Sequence, residues 1–275
     1  MPRLFGKREA GKEMSFLQHL EELRWHLVRS VSAIVIIALA VFFYKDFIFD
    51  EVLLAPKNQD FPTYRLLCFL SHQLNLGDAL CIQTIPFDLI SIELSSQFTT
   101  HMWVAFISGL VLASPYVLWE AWSFIKPALY EKERRYARGI VFYTSGLFLM
   151  GVLFGYYIIT PMSVNFLGSY QVSAQVKNTI TLNSFISTVT TLSLLTGLVF
   201  ELPIVIYFLT KIGLMSPAFM KTYRKHAVVV ILILSAVITP TSDATTMILV
   251  AVPLYVLYEL SIIVSARVIK NKAKA

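Results

Sequence analysis

Charged residues are scarce in this chain of 275 residues: only 15% are Asp, Glu, Lys or Arg, whereas 56% are hydrophobic. A soluble domain of this length carries more charge on its surface, and the apolar residues here come in long blocks. The scarcity of charge therefore excludes an ordinary soluble globular protein. It indicates a protein that crosses a membrane several times.

Cysteine is almost absent, with Cys68 and Cys81 as the two examples. Two cysteines are too few for the disulfide framework that holds small secreted domains together. Both lie in the longest connection between apolar blocks. If that connection is outside the cell, a disulfide between them is permitted, and two unpaired thiols are the alternative.

Signatures of catalysis are also missing. The sequence contains neither H-E-x-x-H nor G-x-S-x-G, and its five histidines lie outside the centres of the apolar blocks. A metal site on the helix face of His19, Glu22 and His26 is conceivable, but no further ligand is near in sequence. We therefore expect no enzyme activity, no bound metal and no other cofactor. The net charge of +6 does not indicate nucleic-acid binding, because Lys and Arg cluster beside the apolar blocks.

Six apolar blocks are candidates for membrane-spanning helices. Five reach the roughly 20 residues that a span needs, whereas block 227–238 covers only about 18 Å of a core of about 30 Å. We retain the short block because the basic segments on either side of the last two blocks should lie on the same face. The predicted spans are 25–44, 99–124, 139–160, 183–209, 227–238 and 245–266. Residues 1–275 are thus predicted to form one polytopic, all-α membrane domain, with a long outer segment at 45–98.

Lys and Arg are concentrated on one side of these spans. Nineteen of the 23 lie in the N-terminal region through Arg29, in loops 125–138 and 210–226, and in the tail from Arg267. The opposite side carries Lys45, Lys57, Arg65 and Lys177. Because basic residues favour the cytoplasmic side, both termini are predicted to be cytoplasmic.

Three acidic residues lie at positions where a membrane protein seldom carries a carboxylate, either at a membrane boundary or within a span. Glu22 in HLEELRWHL precedes the first span, and Glu133 in KPALYEKERR lies in a basic loop. Carboxylates at a headgroup boundary suit a cationic ligand, although a solvated charge is the simpler alternative for each. Glu201 lies near the middle of the fourth span, where an ionised carboxylate is costly and usually marks function. A neutral Glu bonded to the carbonyls freed by Pro203 is the alternative there.

Two further acids, Glu120 and Glu259, lie near the cytoplasmic ends of the second and sixth spans. We expect both to reach the aqueous interface by extending along the helix. Prolines within or at the ends of the spans predict bent helices around a cavity: Pro115, Pro161, Pro203, Pro240 and Pro253.

Four stretches resemble the TatC family, the core receptor of the twin-arginine protein translocase. They are HLEELRWHL at 19–27, LASPYVLWEAWSFIKPALYEKERR at 112–135, FELPIVIYFL at 200–209 and ITPTSDATTMILVAVPLYVLYE at 238–259. The resemblance implies a cupped, concave structure with short fifth and sixth spans. It also implies a place in the bacterial cytoplasmic membrane and export of folded proteins driven by the proton-motive force.

The resemblance assigns roles to individual residues. The positions that match the signal-peptide site are Glu22, Glu133, Arg24, Phe124 and Pro127. Glu201 matches a buried acid on the concave face, Thr239 matches a polar patch where partners dock, and Met247 stands where many members carry an amide. The implied partners are twin-arginine signal peptides, single-span TatA/TatB-type proteins, membrane lipid and further copies of the chain, with no nucleic acid.

A proton-coupled small-molecule transporter, with Glu201 as the proton carrier, is the alternative function. That function predicts an inverted internal repeat and charged residues in several spans. The sequence has no such repeat, and Glu201 is the one acid deep in a span.

Overall fold

The computed structural model describes residues 16–75, 77–78, 81, 87–125, 137–173, 178–239 and 244–273. The helices in these ranges are α1 (Phe16–Phe43), α2 (Pro62–Gln73), α3 (Ser96–Ile125), α4 (Ala137–Phe154), α5 (Thr160–Ser169), α6 (Leu182–Val199), α7 (Leu202–Lys211), α8 (Pro217–Thr222), α9 (Arg224–Ile238) and α10 (Ala244–Ala273). Short π-helical segments at Phe47–Leu53 and Gly155–Ile159, and a 3-10 turn at Ala55–Lys57, complete the helical part.

Five helical stretches of the described residues are long and apolar enough to cross a membrane. They are His19–Phe43, Ser96–Phe124, Gly139–Ser169, Leu182–Lys211 and Thr246–Lys270. These stretches coincide with the five longer spans predicted from the sequence. The remaining, short candidate at 227–238, fifth in chain order, is also helical, as α9, but its 15 residues extend only about 22 Å.

Two three-residue strands make the all-α prediction incomplete. Strand β1 (Asp88–Ile90) pairs in parallel with β2 (Thr179–Thr181), with Leu89 opposite Ile180. Strands this short show no recognisable alternation in sequence, and their pairing spans about ninety residues of chain, so only the tertiary fold brings them together. The pairing places the long segment 45–98 and the connection between α5 and α6 at the same end of the helices.

The expectation of a short sixth span is wrong, because α10 runs for 30 residues. Pro253 lies inside this helix without ending it. Neither Gly nor Pro follows Pro253 in the sequence, so nothing stops the helix where the apolar block ends. The fifth candidate, α9, is short as expected.

The predicted bends are found at two of the prolines. The fourth span is interrupted at Phe200 and Glu201, and α7 begins with Pro203 in its first turn. The third span has a π-helical segment immediately before the turn that contains Pro161. Pro115 lies inside the continuous helix α3, as Pro253 does in α10, and Pro240 lies outside the described residues.

Glycines allow the spans to pack closely. A Cβ atom added at Gly109 of α3 would lie 2.8 Å from the Cβ of Ala38 and 2.9 Å from the carbonyl oxygen of Ile34, both in α1. A Cβ atom at Gly155 would lie 2.8 Å from the Cα of Ser193 in α6. Small residues at helix contacts are the usual means of association where lipid removes the hydrophobic driving force.

The segment between α1 and α3 folds back onto the third span. Tyr64 of α2 is buried, and its hydroxyl lies 2.8 Å from the carbonyl oxygen of Pro56 and 3.2 Å from that of Pro161. Burial raises the pKa of the Tyr64 hydroxyl. This segment is therefore an ordered cap over one end of the helix bundle. The strands β1 and β2 lie at the same end.

Candidate functional site

Glu22, the first of the predicted signal-peptide residues, lies on a face of α1 that packs against α3. His19, Glu22 and His26 are spaced i, i+3 and i+7 in α1, which places them on one side of the helix. The last two turns of α3 carry Tyr116, Glu120 and Phe124 at intervals of four, again on one side. These two faces meet, because His19 and His26 contact Phe124 and His26 pairs with Glu120.

Phe124 lies between two imidazole rings of α1. Its ring stacks on His19 with a centroid distance of 4.5 Å and an interplanar angle of 23°. His26 approaches the same ring edge-on at 6.1 Å. Glu22 lies between the two histidines on the same face, so the structure brings the predicted residues Glu22 and Phe124 to a common surface.

Glu22 has an unused acceptor at this surface. Its side chain is half-buried, and its buried Oε2 atom has no hydrogen-bond partner among the described residues. A buried carboxylate oxygen without a donor is unfavourable unless a ligand supplies one. Glu21 and Arg24, its neighbours on α1, are exposed.

Glu120 does not extend to the interface as expected but is buried, with 8% of its surface exposed. Its Oε1 accepts a hydrogen bond of 2.8 Å from the Tyr116 hydroxyl, and its Oε2 pairs with Nδ1 of His26. The partner on α1 compensates for the removal of the carboxylate from water. We call Tyr116, Glu120 and His26 the buried clamp after its buried member Glu120, since His26 is half-buried and Tyr116 is 36% exposed.

A second clamp joins α9 to α10. Glu259 accepts hydrogen bonds from the Arg224 guanidinium at 2.7 Å and from the Tyr255 hydroxyl at 3.1 Å. We call these three residues the surface clamp: Arg224 and Tyr255 are exposed, and Glu259 is half-buried, so it is only partly at the surface as expected. The sequence carries a signal for both clamps, since YVLWE at 116–120 is almost repeated as YVLYE at 255–259.

Glu201 lies at the break in the fourth span. It precedes α7 at the N-cap position without a capping bond from its side chain, and its backbone carbonyl accepts from the amides of Ile204 and Val205. The side chain is half-buried, and Oε1 is buried with no hydrogen-bond partner within the described part of the chain. The helix break therefore places a carboxyl group inside the span.

The remaining predicted site residues are separate from this surface. Thr239 is buried at the end of α9 and donates a hydrogen bond of 2.8 Å to the carbonyl of Ser235, while Met247 is half-buried in α10. Glu133 and Pro127 lie outside the described residues.

Cys68 and Cys81 are joined by a disulfide. Nδ1 of His72 lies 3.8 Å and 3.9 Å from the two sulfur atoms, and its Nε2 lies 3.4 Å from a carboxylate oxygen of Asp78. The two cysteines and His72 are grouped closely enough to hold a metal ion. Because the sulfurs are bonded to each other, however, neither is available as a thiolate ligand.

The sequence matches one protein family over most of its length. The family described as Sec-independent protein translocase protein (TatC) matches residues 18–253. The TatC protein of Blattabacterium sp. subsp. Periplaneta americana is 40% identical over 94% of this chain and 98% of its own. The TatCy protein of Bacillus subtilis is 32% identical over 96% of this chain and 93% of its own.

The fold is similar to two crystal structures described as the twin arginine translocase receptor TatC. One, in DDM, has a TM-score of 0.68 and 30% identity, covering 89% of this chain and 98% of the other. The second has a TM-score of 0.65 and 28% identity, covering 91% and 99%. These matches give no support to a small-molecule transporter, because each of these proteins is described as a translocase protein or receptor.

Proposed function

We propose that this chain, which belongs to the TatC family of Sec-independent protein translocase proteins and is a component of a twin-arginine translocase, binds the signal peptides of folded precursors. The two crystal structures that it resembles are described as receptors, which supports a receptor role here. The role is a binding step, and this chain does no chemistry on the cargo.

The observation that carries the proposal is the carboxylate oxygen of Glu22 near Phe124, which has no hydrogen-bond partner in the part of the chain that the structure describes. An arginine guanidinium supplies two parallel N–H donors to a carboxylate, whereas a lysine ammonium is a point charge. Glu22 accepts one arginine of the peptide, and the apolar stem of that side chain packs on the Phe124 ring. Exposed Arg24 borders the same surface.

Glu133 accepts the second arginine. It follows Phe124 by nine residues in the sequence, with Pro127 between them. Because α3 ends at Ile125, the chain leaves α3 at the same end of the helices that carries Glu22. Two carboxylates at one surface select a pair of arginines over a pair of lysines by geometry as well as by charge.

The site faces the cytoplasm if both termini do, and that is the proposed topology. Basic residues lie towards one end of the helices that the two clamps tie together: Arg24 and Arg29 are in the first half of α1, and Arg224 begins α9. In this arrangement α9 is a sixth, short span beside α10, with which it shares a core of Ile231, Ile238 and Leu254. The bilayer thins around α9 because the helix is shorter than the hydrocarbon layer.

After docking, the apolar part of the signal peptide enters the concave face of a cupped bundle, where Glu201 lies in the interrupted span. Single-span TatA/TatB-type partners dock along the two last helices near Thr239 and Met247, and further copies of the chain join the assembly. Energy comes from the proton-motive force across the bacterial cytoplasmic membrane. The unpartnered oxygen of Glu201 supports a role for this carboxyl group in sensing that force.

The test is binding of a twin-arginine signal peptide and its Lys-Lys counterpart to the purified protein in detergent. One charge-assisted hydrogen bond contributes about 1.5–3 kcal/mol, so Glu22→Ala should weaken Arg-Arg binding by about 10- to 100-fold. Wild type should prefer Arg-Arg over Lys-Lys by about tenfold or more, since lysine keeps the charge but loses the second donor. Glu133→Ala should reduce the same preference.

Glu21→Ala is the matched control, because Glu21 is an exposed acid one position away on the same helix. It removes the same charge from α1 without touching the face that packs against Phe124. Equal binding of the two peptides, unchanged by Glu22→Ala, would refute the site. An equal loss of Arg-Arg peptide affinity in Glu21→Ala would show that the effect arises from the net charge of α1 and not from a site at Glu22.

A further inference from the structure

We propose that the buried clamp is a positioning element of the signal-peptide site, holding the α1 face that carries Glu22 in register with Phe124. This inference rests on the proposed function, because it concerns the geometry of the same surface. The clamp residues themselves do not contact the arginines.

The clamp lies one helical turn from each residue that it positions. His26 follows Glu22 by four residues in α1, and Glu120 precedes Phe124 by four residues in α3. One turn corresponds to about 5.4 Å along the axis. The pairing of His26 with Glu120 therefore sets the distance and the register between the two helix faces next to the point where the peptide binds.

The clamp also prevents rotation of α1. The close contact of Gly109 with Ala38 fixes the two helices further along their length, about 16 Å from Glu120 by helical rise. A helix held at two such points on one face cannot turn about its axis. A rotation by one residue position, about 100°, would carry Glu22 away from Phe124.

The clamp has an electrostatic consequence as well. Both oxygens of Glu120 are occupied, one by Tyr116 and one by His26, and the positive charge of Arg29 also acts on this carboxylate. Glu22 in contrast keeps an oxygen that has no hydrogen-bond partner among the described residues. Without its partners, Glu120 would be a second open carboxylate one turn from Phe124 and would compete for the incoming guanidinium.

The first measurement is peptide affinity of clamp variants that remain folded and monodisperse. His26→Ala and Glu120→Ala should each weaken Arg-Arg binding by about tenfold and lower the preference over Lys-Lys. The double variant should be no worse than either single one, because both remove the same contact. The exchanged pair, His26→Glu with Glu120→His, restores the bridge and should recover most of the affinity.

Glu120→Gln is the conservative variant, which keeps the side-chain shape but offers one acceptor oxygen where two are used. It should bind the Arg-Arg peptide about threefold more weakly, and it allows the test to proceed if the alanine variants do not fold. Glu259→Gln is the matched control from the surface clamp and should bind within twofold of wild type. Wild-type affinity and selectivity in folded Glu120→Gln and Glu120→Ala would overturn the proposal.

The second measurement needs no peptide and separates this inference from the proposed function. With 4-fluorophenylalanine at position 124, the fluorine resonance reports the ring's position between His19 and His26. Glu120→Ala and Glu120→Gln should shift or broaden this resonance, whereas Glu259→Gln should leave it unchanged. An unchanged resonance in both Glu120 variants overturns the positioning role. If the resonance shifts but wild type does not prefer Arg-Arg, the proposed function fails and the positioning of Phe124 stands.

Discussion

The two clamps have nearly the same local sequence but different surroundings. In each, a tyrosine precedes a glutamate by four residues on one helix, and a basic residue on an earlier helix completes the bridge. The side chains of His26 and Glu120 are 14% and 11% exposed, whereas those of Arg224 and Glu259 are 46% and 31% exposed. The comparison shows that the local motif sets the Tyr–Glu contact, and the neighbouring helix decides how much water reaches it.

Because of this difference in exposure, the two clamps should contribute different amounts to the free energy of unfolding. Removing one partner of a buried pair leaves the other without compensation in a poorly solvated place, which is strongly destabilising. Exposed pairs contribute little because water solvates both groups in either case. Four measurements test or sharpen this contrast, beginning with the largest expected effect.

The strongest test removes each central glutamate. Glu120→Ala should lower the free energy of unfolding by about 3 kcal/mol, because it leaves His26 and the Tyr116 hydroxyl without their partner. Glu259→Ala should lower it by less than about 1 kcal/mol. Thermal unfolding of both variants in the same detergent measures the difference. Similar losses in the two variants would show that burial does not distinguish the clamps.

The next test acts on the helix contact that accompanies the buried clamp. Gly109→Ala places a methyl group within 2.9 Å of the α1 backbone, so α1 must move, at a cost of about 1–3 kcal/mol. Gly146→Ala is the control, because nothing lies within 4 Å of the added carbon and alanine favours helix. The readout is again thermal unfolding.

Combination with the first variant tells whether the two sites act together. If α1 is held at both points, the losses from Gly109→Ala and Glu120→Ala should be less than additive. Strict additivity would indicate that the clamp and the glycine contact stabilise the protein independently.

The smallest expected effect is the response to salt. Raising the ionic strength to about 1 M shortens the Debye length to about 3 Å, which screens exposed charges far more than buried ones. The stability difference between wild type and Glu259→Ala should shrink towards zero, while the difference for Glu120→Ala should change little. Unfolding curves at low and high salt provide the comparison, and equal salt sensitivity would contradict it.

Much of the helical architecture follows from the sequence because membrane spans have a simple requirement. A long apolar block must form a helix to satisfy its backbone in lipid, so the five long spans could be predicted at nearly their observed positions. The C-terminal end of α10 could not be predicted in this way, because a helix can continue past an apolar block where neither Gly nor Pro ends it. The two strands were missed because three residues show no usable pattern.

The site was predictable in part. Glu22 and Phe124 belong to segments that resemble a known family, and the structure brings their faces together through His19 and His26. The sequence predicts that Glu120 reaches the aqueous interface, but the residue is buried against His26. Burial of a residue near a helix end depends on which side chain faces it from another helix. The near repeat of YVLWE and YVLYE pointed to both clamps but not to their different exposure.

The sequence by itself determined where the chain can cross a membrane, because span length and apolarity are properties of local stretches. It also determined which acids stand out, since carboxylates are rare near such spans. Only the tertiary structure decided which of those acids keep a free oxygen. Glu120 found His26 across the helix interface, whereas Glu22 and Glu201 each retain a buried oxygen with no partner among the described residues. Hydrogen-bond satisfaction depends on side chains distant in sequence, and it is this pairing that distinguishes a structural acid from one available to a ligand.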